Sequence, residues 1–166
     1  MSDMILDAIL VGVVATGVMD LVALAQSRLF GIPSLDYAML GRWLAHMPRG
    51  RLIHRSIGQS PRIRGEAAMG WSAHYLTGIL FTAAFFSLMG QDWTPGAKPV
   101  APVIFGMATV VAPFLLLQPG MGAGLAARRT SSPWRSRARS LQAHATFGLG
   151  IWIGSLLLVS ARLGSG

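Results

Sequence analysis

Four long apolar runs constrain this chain more than any other feature of its sequence. They lie at about residues 4–26, 67–89, 100–118 and 141–161, and about 20 apolar residues are what an α-helix needs to cross a bilayer. The chain is 52% hydrophobic and only 12% charged, whereas soluble domains carry about 25% charged residues. The runs therefore predict a single integral membrane domain, residues 1–166, folded as an all-α four-helix transmembrane bundle.

The distribution of basic residues predicts the orientation of these spans. Of the 14 basic residues, seven lie between Arg28 and Arg64 and five lie between Arg128 and Arg139. Lysine and arginine collect in cytoplasmic loops, so we assign both Arg-rich loops to the cytoplasm and both termini to the opposite side. The acidic start, MSDMILDAIL, is atypical of a cleavable signal peptide, which favours a retained first span.

The net charge of +8 would also suit a protein that binds nucleic acid or an anionic surface. The charges lie in two loops rather than on one folded basic face, which argues against a nucleic-acid partner. The expected partners are the lipid bilayer and its anionic headgroups. Arg128 and Arg129 are candidates for holding an anion or a headgroup, although topology alone explains them. The chain has no cysteine, which excludes disulfides and thiolate metal sites.

Local signals predict three details of the helices. Ser34 looks like an N-cap for a short helix, in which Leu35, Met39, Trp43 and Met47 recur at every fourth position. This pattern predicts a short interfacial amphipathic helix in the first cytoplasmic loop. Prolines at 102 and 113 predict a kink in the third span. The pair at 132–133, Ser-Pro, predicts the start of the fourth helix.

A short pattern occurs in both halves of the chain. Residues 73–79 and 143–149 share Ala-His-x-x-x-Gly followed by an aliphatic residue. The pattern suggests two tandem helical hairpins, related by an axis along the membrane normal. The alternative is chance similarity between short apolar segments.

Each span carries one polar group near its predicted cytoplasmic end. These are Asp20, His74, Gln118 and His144. Asp20 lies eight residues before Arg28, and His74 lies eight residues after Glu66. Each separation is about 12 Å at 1.5 Å per residue. Asp20 and the two histidines lie on stripes of small residues, where helices pack closely. An ionisable residue within a span marks a functional site by default.

These polar residues leave three functions open. The first is a small transport or ligand-binding protein with a proton or ligand site at Asp20, His74, His144 and Gln118. The second is a protein that binds haem or a transition metal through His74 and His144. The third is a structural or assembly subunit in which these groups only hydrogen-bond between helices. We expect His46, in the first loop, to be a surface group.

Three further patterns bear on chemistry and assembly. No Ser-His-acid pattern, pair of catalytic carboxylates or H-E-x-x-H occurs, which argues against an enzyme. The glycine-rich stretch PGMGAG lacks the G-K-[ST] of a phosphate-binding loop and follows no predicted strand. Gly150 and Gly154 have the spacing of a helix-dimerisation face, which suggests a homo-oligomer. His54 is expected to be a surface group, like His46.

Several stretches resemble those of one family of small bacterial inner-membrane proteins with four predicted spans. They are FGIPSLDYAMLGRW, GWSAHY, FLLLQPGMGAGLAA and LQAHATFGLG. The family is defined only as a domain of unknown function, and the resemblance covers nearly the whole chain. It implies a location in the bacterial inner membrane, but it brings no activity or site residues.

Overall fold

A computed structural model describes residues 2–90, 93, 95–96 and 98–164, with side chains from Met4 onward. Its described residues form helices and no strand. The helices are α1 (Ser2–Phe30), α2 (Tyr37–His46), α3 (Glu66–Met89), α4 (Val100–Ala108), α5 (Gln118–Met121) and α6 (Pro133–Leu163). Short 3₁₀ turns lie at Met47–Arg49, Ile57–Gln59 and Leu125–Ala127. A π-helical turn covers Pro113–Leu117.

Four helical stretches are long and apolar enough to cross a membrane. They are Met4–Phe30, Glu66–Met89, Val100–Met121 and Pro133–Leu163. Large apolar side chains project outward from them, with exposures such as 66% at Leu21 and 63% at Ile104. A soluble monomer rarely exposes so much contiguous apolar surface. The prediction of an all-α chain with four membrane-capable helices is confirmed.

The chain divides into two compact units. The first, called here the bundle unit, contains Met1–Ser34, Tyr75–Ala108 and Ala143–Gly166. The second, called the loop unit, contains Leu35–His74 and Thr109–Gln142. Two of the boundaries between the units fall inside helices, one within α3 and one within α6. Each of these helices therefore contributes residues to both units.

In the bundle unit, α1 packs against α3 through residues that lack bulk. A Cβ atom built on Gly12 would lie 2.7 Å from the Cα atom of Ile79, and one built on Gly78 would overlap the Thr16 side chain. Thr16 is buried, and its hydroxyl donates to the carbonyl of Gly12 at 2.8 Å. The two helices therefore approach closely in antiparallel orientation along the predicted small-residue stripes.

Glycines also bring α6 against α4. A Cβ atom on Gly106 would overlap the carbonyl of His144, and one on Gly148 would overlap the carbonyl of Pro102. Gly78 and Gly148, the glycines of the two Ala-His-x-x-x-Gly segments, thus both lie at helix crossings. The proposed duplication stays a prediction.

The glycine pair predicted to form a dimer face packs inside the chain. Gly150 and Gly154 are both buried. A Cβ atom on Gly150 would lie 2.7 Å from the Cα atom of Ala15, and one on Gly154 would lie 3.2 Å from the Val11 side chain. These contacts are between α6 and α1, so a homo-oligomer, which stays a prediction, needs another surface.

Aromatic side chains fill the rest of the bundle core. Phe85 is fully buried, and its ring centroid lies 5.0 Å from that of Trp93 and 5.2 Å from that of Phe105. Phe81 meets Phe147 edge to face, with centroids 6.4 Å apart. These contacts join α3 to α4 and α6, and together with the glycine crossings they enclose a four-helix core.

The third span is irregular where the sequence predicts it. Its α-helical part ends at Ala108, and the π-helical turn begins at Pro113. Proline has no N–H to donate and clashes with the preceding turn, which breaks regular hydrogen bonding. Pro102 lies in the first turn of α4, where proline is tolerated.

The predicted loop helix exists, but its predicted N-cap was wrong. Asp36 rather than Ser34 caps α2, because its side chain accepts from the N–H of Ala38 at 2.9 Å. The buried positions of α2 are Gly41, Arg42 and His46, and the placement of its apolar stripe at the membrane interface stays a prediction. A Cβ atom on Gly41 would overlap the carbonyl of Glu66, so α2 packs directly on the first turn of α3.

The two Arg-rich loops contact each other, which the sequence did not indicate. Both loops belong to the loop unit, which holds eleven arginines and only two acidic residues, Asp36 and Glu66. The N–H of His54 donates to the carbonyl of Gly120 at 2.8 Å, which joins the first loop to the second. The sequence pattern alone did not reveal this contact, because 66 residues separate its partners.

The helix crossings make a testable prediction about stability. Gly148→Ala should destabilise the protein by about 1–3 kcal/mol, because the new methyl group meets backbone atoms that cannot give way. Gly17→Ala is the matched control, since no atom lies within 4 Å of its added Cβ. Thermal unfolding in detergent, followed by tryptophan fluorescence, should show a lower Tm for the first variant only. Equal Tm values would contradict the packing described here.

Candidate functional site

Asp20 lies in the bundle unit, one turn beyond the Gly12 and Thr16 contacts of α1. Gly12 and Thr16 contact Ile79 and Gly78 of α3. Because the two helices are antiparallel, the next turn of α1 lies near the start of the α3 segment in this unit. There the side chain of Tyr75 forms a hydrogen bond with Asp20. The carboxyl group is thus partly buried among apolar helices and paired with a phenol.

His144 lies in the same unit, on α6. Its carbonyl is one of the backbone groups against which Gly106 packs, so this residue is at the crossing of α6 with α4. Its side chain is half-buried. The structure therefore places two of the four predicted site residues, Asp20 and His144, in the bundle unit.

His74 lies in the loop unit, within an aromatic cluster. Its imidazole stacks on the ring of Tyr37, with centroids 4.0 Å apart and an interplanar angle of 23°. Trp71 approaches it edge-on at 5.9 Å and also contacts Tyr37 at 4.5 Å. Gly70 makes this possible, because a Cβ atom there would overlap the Tyr37 carbonyl. One face of the His74 ring is therefore covered by α2.

Gln118 is the other predicted site residue in the loop unit. Its side-chain nitrogen donates to the hydroxyl of Ser140 at 3.2 Å. Its amide oxygen is buried and, within the described part of the chain, accepts no hydrogen bond. A buried acceptor without a donor costs about 1–3 kcal/mol, so this atom favours a water molecule or ligand that donates to it.

The predicted anion-binding arginines follow a strained turn. Ala126 and Ala127 have positive φ angles of 45° and 59°, which side chains disfavour. Arg137 holds this turn, because its Nε donates to the carbonyl of Ala126 at 2.7 Å. Arg128 and Arg129 are exposed beyond it. Their role toward lipid headgroups stays a prediction.

Two histidines expected at the surface are buried instead. His46 and His54 are only 4% and 9% exposed. Nδ1 of His46 lies 3.0 Å from Nε2 of His54, and Nδ1 of His54 lies 3.3 Å from the carbonyl oxygen of Gly120. Both belong to the loop unit. No periodicity in the sequence could have paired them, since His46 ends α2 and His54 lies in the irregular loop that follows.

Charge and burial make His46 sensitive to pH. Burial lowers the pKa of His46 below its ordinary value, and nearby positive groups lower it further; these are His54, Arg51, Arg49 and Arg42. A lowered pKa means that the unfolded chain binds a proton more readily than the folded one. The contribution of His46 to stability is therefore complete above about pH 6.5. It is lost as the pH falls from there toward the lower folded value.

A partly buried ion pair organises the same unit. Arg42 donates from Nε and Nη2 to the two carboxylate oxygens of Glu66, at 2.8 and 2.7 Å. Its Nη1 also points at three backbone carbonyls of the loop, those of Ile57, Gly58 and Ser60. Glu66 in turn accepts from the N–H of Ile63 at 2.9 Å. One guanidinium thus ties α2, the first loop and the start of α3 together.

Comparison with known proteins identifies the family. Residues 9–158 match the family described as "Protein of unknown function (DUF2938)". The chain belongs to the DUF2938 family. The resemblance noted in the sequence is thereby confirmed at the level of the family. No curated protein and no solved structure matches the chain.

The described residues of this DUF2938 protein contain no group of three or more His, Asp or Glu side chains placed to hold one metal ion. His74 and His144 belong to different units. Metal or haem binding through these two histidines stays a prediction. Elemental analysis of the purified protein beside a His74→Ala/His144→Ala variant tests it directly.

The ion pair gives a second stability prediction. Arg42→Gln should lower the Tm of this DUF2938 protein, because both carboxylate oxygens of Glu66 lose their charged donor. Arg64→Gln, at an exposed arginine of the same loop, should change stability by less than about 0.5 kcal/mol. Thermal unfolding in detergent measures both. Equal effects would show that the Arg42 contacts contribute nothing specific.

Proposed function

We propose that this DUF2938 protein is a small multi-pass transport protein of the bacterial inner membrane, in which Asp20 takes up and releases a proton near the cytoplasmic face. The observation that carries the proposal is a carboxyl group inside an apolar span, hydrogen-bonded by the phenol of Tyr75. His144, in the same unit, is a further candidate member of the transport pathway, and the roles predicted for His74 and Gln118 stay predictions.

The free-energy cost of placing Asp20 in a span favours a functional role over a purely structural one in helix association. An acidic residue within a span costs up to about 2.5–3.5 kcal/mol on insertion scales, the value at the helix centre. Hydrogen bonds between membrane helices average only about 0.6 kcal/mol. The Tyr75 bond is therefore too weak to explain why a carboxyl group is placed there. A group that exchanges a proton explains it, because protonation removes the charge that the bilayer disfavours.

Tyr75 suits such a site because a phenol both donates and accepts hydrogen bonds. It donates to the ionised carboxylate and accepts from the protonated acid. The pair therefore keeps its hydrogen bond in both protonation states. This is what a residue that cycles between charged and neutral forms requires.

The proposed orientation puts both Arg-rich loops in the cytoplasm and both chain ends outside. The natural chain has no cysteine, so single cysteines can be introduced without other changes. Gln59→Cys, in the first Arg-rich loop, should react with a membrane-impermeant maleimide only in inside-out vesicles. Lys98→Cys, between α3 and α4, should react from outside intact spheroplasts. The reverse pattern would overturn the orientation.

Proton flux through liposomes tests the transport function. Purified protein is reconstituted into liposomes that contain potassium and the dye pyranine, and valinomycin sets an inside-negative potential. Wild type should acidify the interior faster than protein-free liposomes, whereas Asp20→Asn should acidify it no faster than they do. The amide keeps the size of the side chain but does not titrate, so it cannot take up or release a proton.

The control is Asp7→Asn on the same helix, where the carboxyl pairs with Arg162 at the surface. This variant should retain the wild-type rate. Flux in Asp20→Asn equal to wild type, or wild-type flux equal to that of empty liposomes, would contradict the proposal. In the second case a structural role becomes the better account, provided that circular dichroism shows a folded protein.

A further inference from the structure

The His46–His54 pair has one consistent arrangement of protons when both rings are neutral. The Gly120 carbonyl can only accept a hydrogen bond, so Nδ1 of His54 must carry a proton. Nε2 of His54 is then an acceptor. Nδ1 of His46, 3.0 Å away, must therefore donate to it. Both rings carry their proton on Nδ1, the tautomer that free histidine in water disfavours.

This chain of hydrogen bonds ends at Gly120, in the last turn of the third membrane-capable stretch. The Gly120 carbonyl accepts from both the backbone N–H and the ring of His54. Gly120 also lies against the Trp43 indole, since a Cβ atom there would be 2.5 Å from the ring nitrogen. A Cβ atom on Gly122 would overlap the Arg55 carbonyl. The histidine pair thus holds α5 against residues 51–55.

The charges around His46 favour the neutral pair. Arg42 of α2, Arg49 of the following turn, and Arg51 and His54 of the loop all oppose a positive charge on its ring. The facing segment, Gln118–Met121, brings no titratable side chain. The same arginines oppose a divalent cation between the rings, and the described residues supply no third His, Asp or Glu ligand. A proton is therefore the cation that this pair can take up.

We propose that His46 and His54 form a proton-binding pair whose second proton releases α5 from residues 51–55. A first proton fits on Nε2 of His46, because Nδ1 of that ring still donates to His54. A second proton must go to Nε2 of His54. Two N–H groups then face each other across the 3.0 Å contact, and two positive rings repel. The inference is independent of the proton path proposed at Asp20.

The consequence is a loop contact that weakens in acid. Below about pH 6.5, the ordinary histidine value, proton uptake should open the contact between residues 51–55 and α5. For each proton taken up on opening, the equilibrium constant for opening rises by about tenfold per pH unit. Trp43 and Gly120 should separate at the same time, since both pack at this contact.

Hydrogen–deuterium exchange of the wild-type protein in detergent measures the opening. Protection of peptides covering residues 51–55 and 118–124, corrected for intrinsic exchange rates, is compared between about pH 7.5 and about pH 5, the range in which histidine titrates. In wild type, the protection factors of these peptides should fall at least about tenfold between the higher and the lower pH. Peptides from the bundle unit should not change. Unchanged protection of residues 51–55 would overturn the proposal.

His46→Asn is the decisive variant. The asparagine amide lies where Nδ1 of His46 lies, and by rotating it donates to neutral His54 or accepts from protonated His54. This variant should therefore keep its protection at low pH. Gln59→Asn, the control at an exposed side chain of the same loop, should lose protection as wild type does. Loss of protection in His46→Asn equal to wild type would contradict the proposal.

A second measurement does not depend on any variant. Nitrogen NMR of ¹⁵N-histidine-labelled wild type at about pH 7.5, where neutral histidine dominates, reports which ring nitrogen carries the proton. Two histidines should show the Nδ1–H tautomer, and the same two should shift on acidification. If every histidine showed the Nε2–H tautomer at neutral pH, the proposed arrangement would be ruled out, independently of the result for His46→Asn.

Discussion

Helices inside a bilayer gain nothing from hiding apolar surface from one another, because lipid tails are as apolar as leucine. Close backbone contact must then supply the attraction, and in this chain glycine makes it available. Gly12 and Gly78 bring α1 onto α3, and Gly148 brings α6 onto α4. The register set by the first of these crossings carries Asp20 to Tyr75. The candidate proton site is therefore a product of how the helices pack.

The loop unit is stabilised by a different kind of interaction. Its centre is polar, and its tightest contacts are hydrogen bonds to backbone carbonyls and the pair formed by Arg42 and Glu66. Such contacts break when a charge is gained or lost, whereas glycine crossings do not. A response to pH is thus expected in this unit at His46 and His54, while the bundle core of Phe85 and its neighbours stays unchanged.

The membrane architecture could be predicted from sequence because span length, apolar composition and proline positions are local properties. The irregular third span at Pro113 and the start of α6 followed from such signals. The His46–His54 contact with Gly120 could not, because it joins segments 66 residues apart without any periodicity. The cap of α2 was misplaced by two residues, since both Ser34 and Asp36 are suitable caps and only tertiary packing selects one. For the candidate site, the sequence indicated Asp20 but not its partner Tyr75.

The central claim is that the carboxyl group of Asp20 exchanges a proton within the membrane. Infrared difference spectroscopy of the protein in lipid, recorded between a low and a high pH, observes protonated carboxyl groups directly. The account predicts a protonated-acid band that is absent in Asp20→Asn, retained in Asp7→Asn and shifted in Tyr75→Phe, which removes the hydrogen bond. A spectrum of Asp20→Asn that superimposes on that of wild type would show that this carboxyl group does not titrate, and would contradict the account.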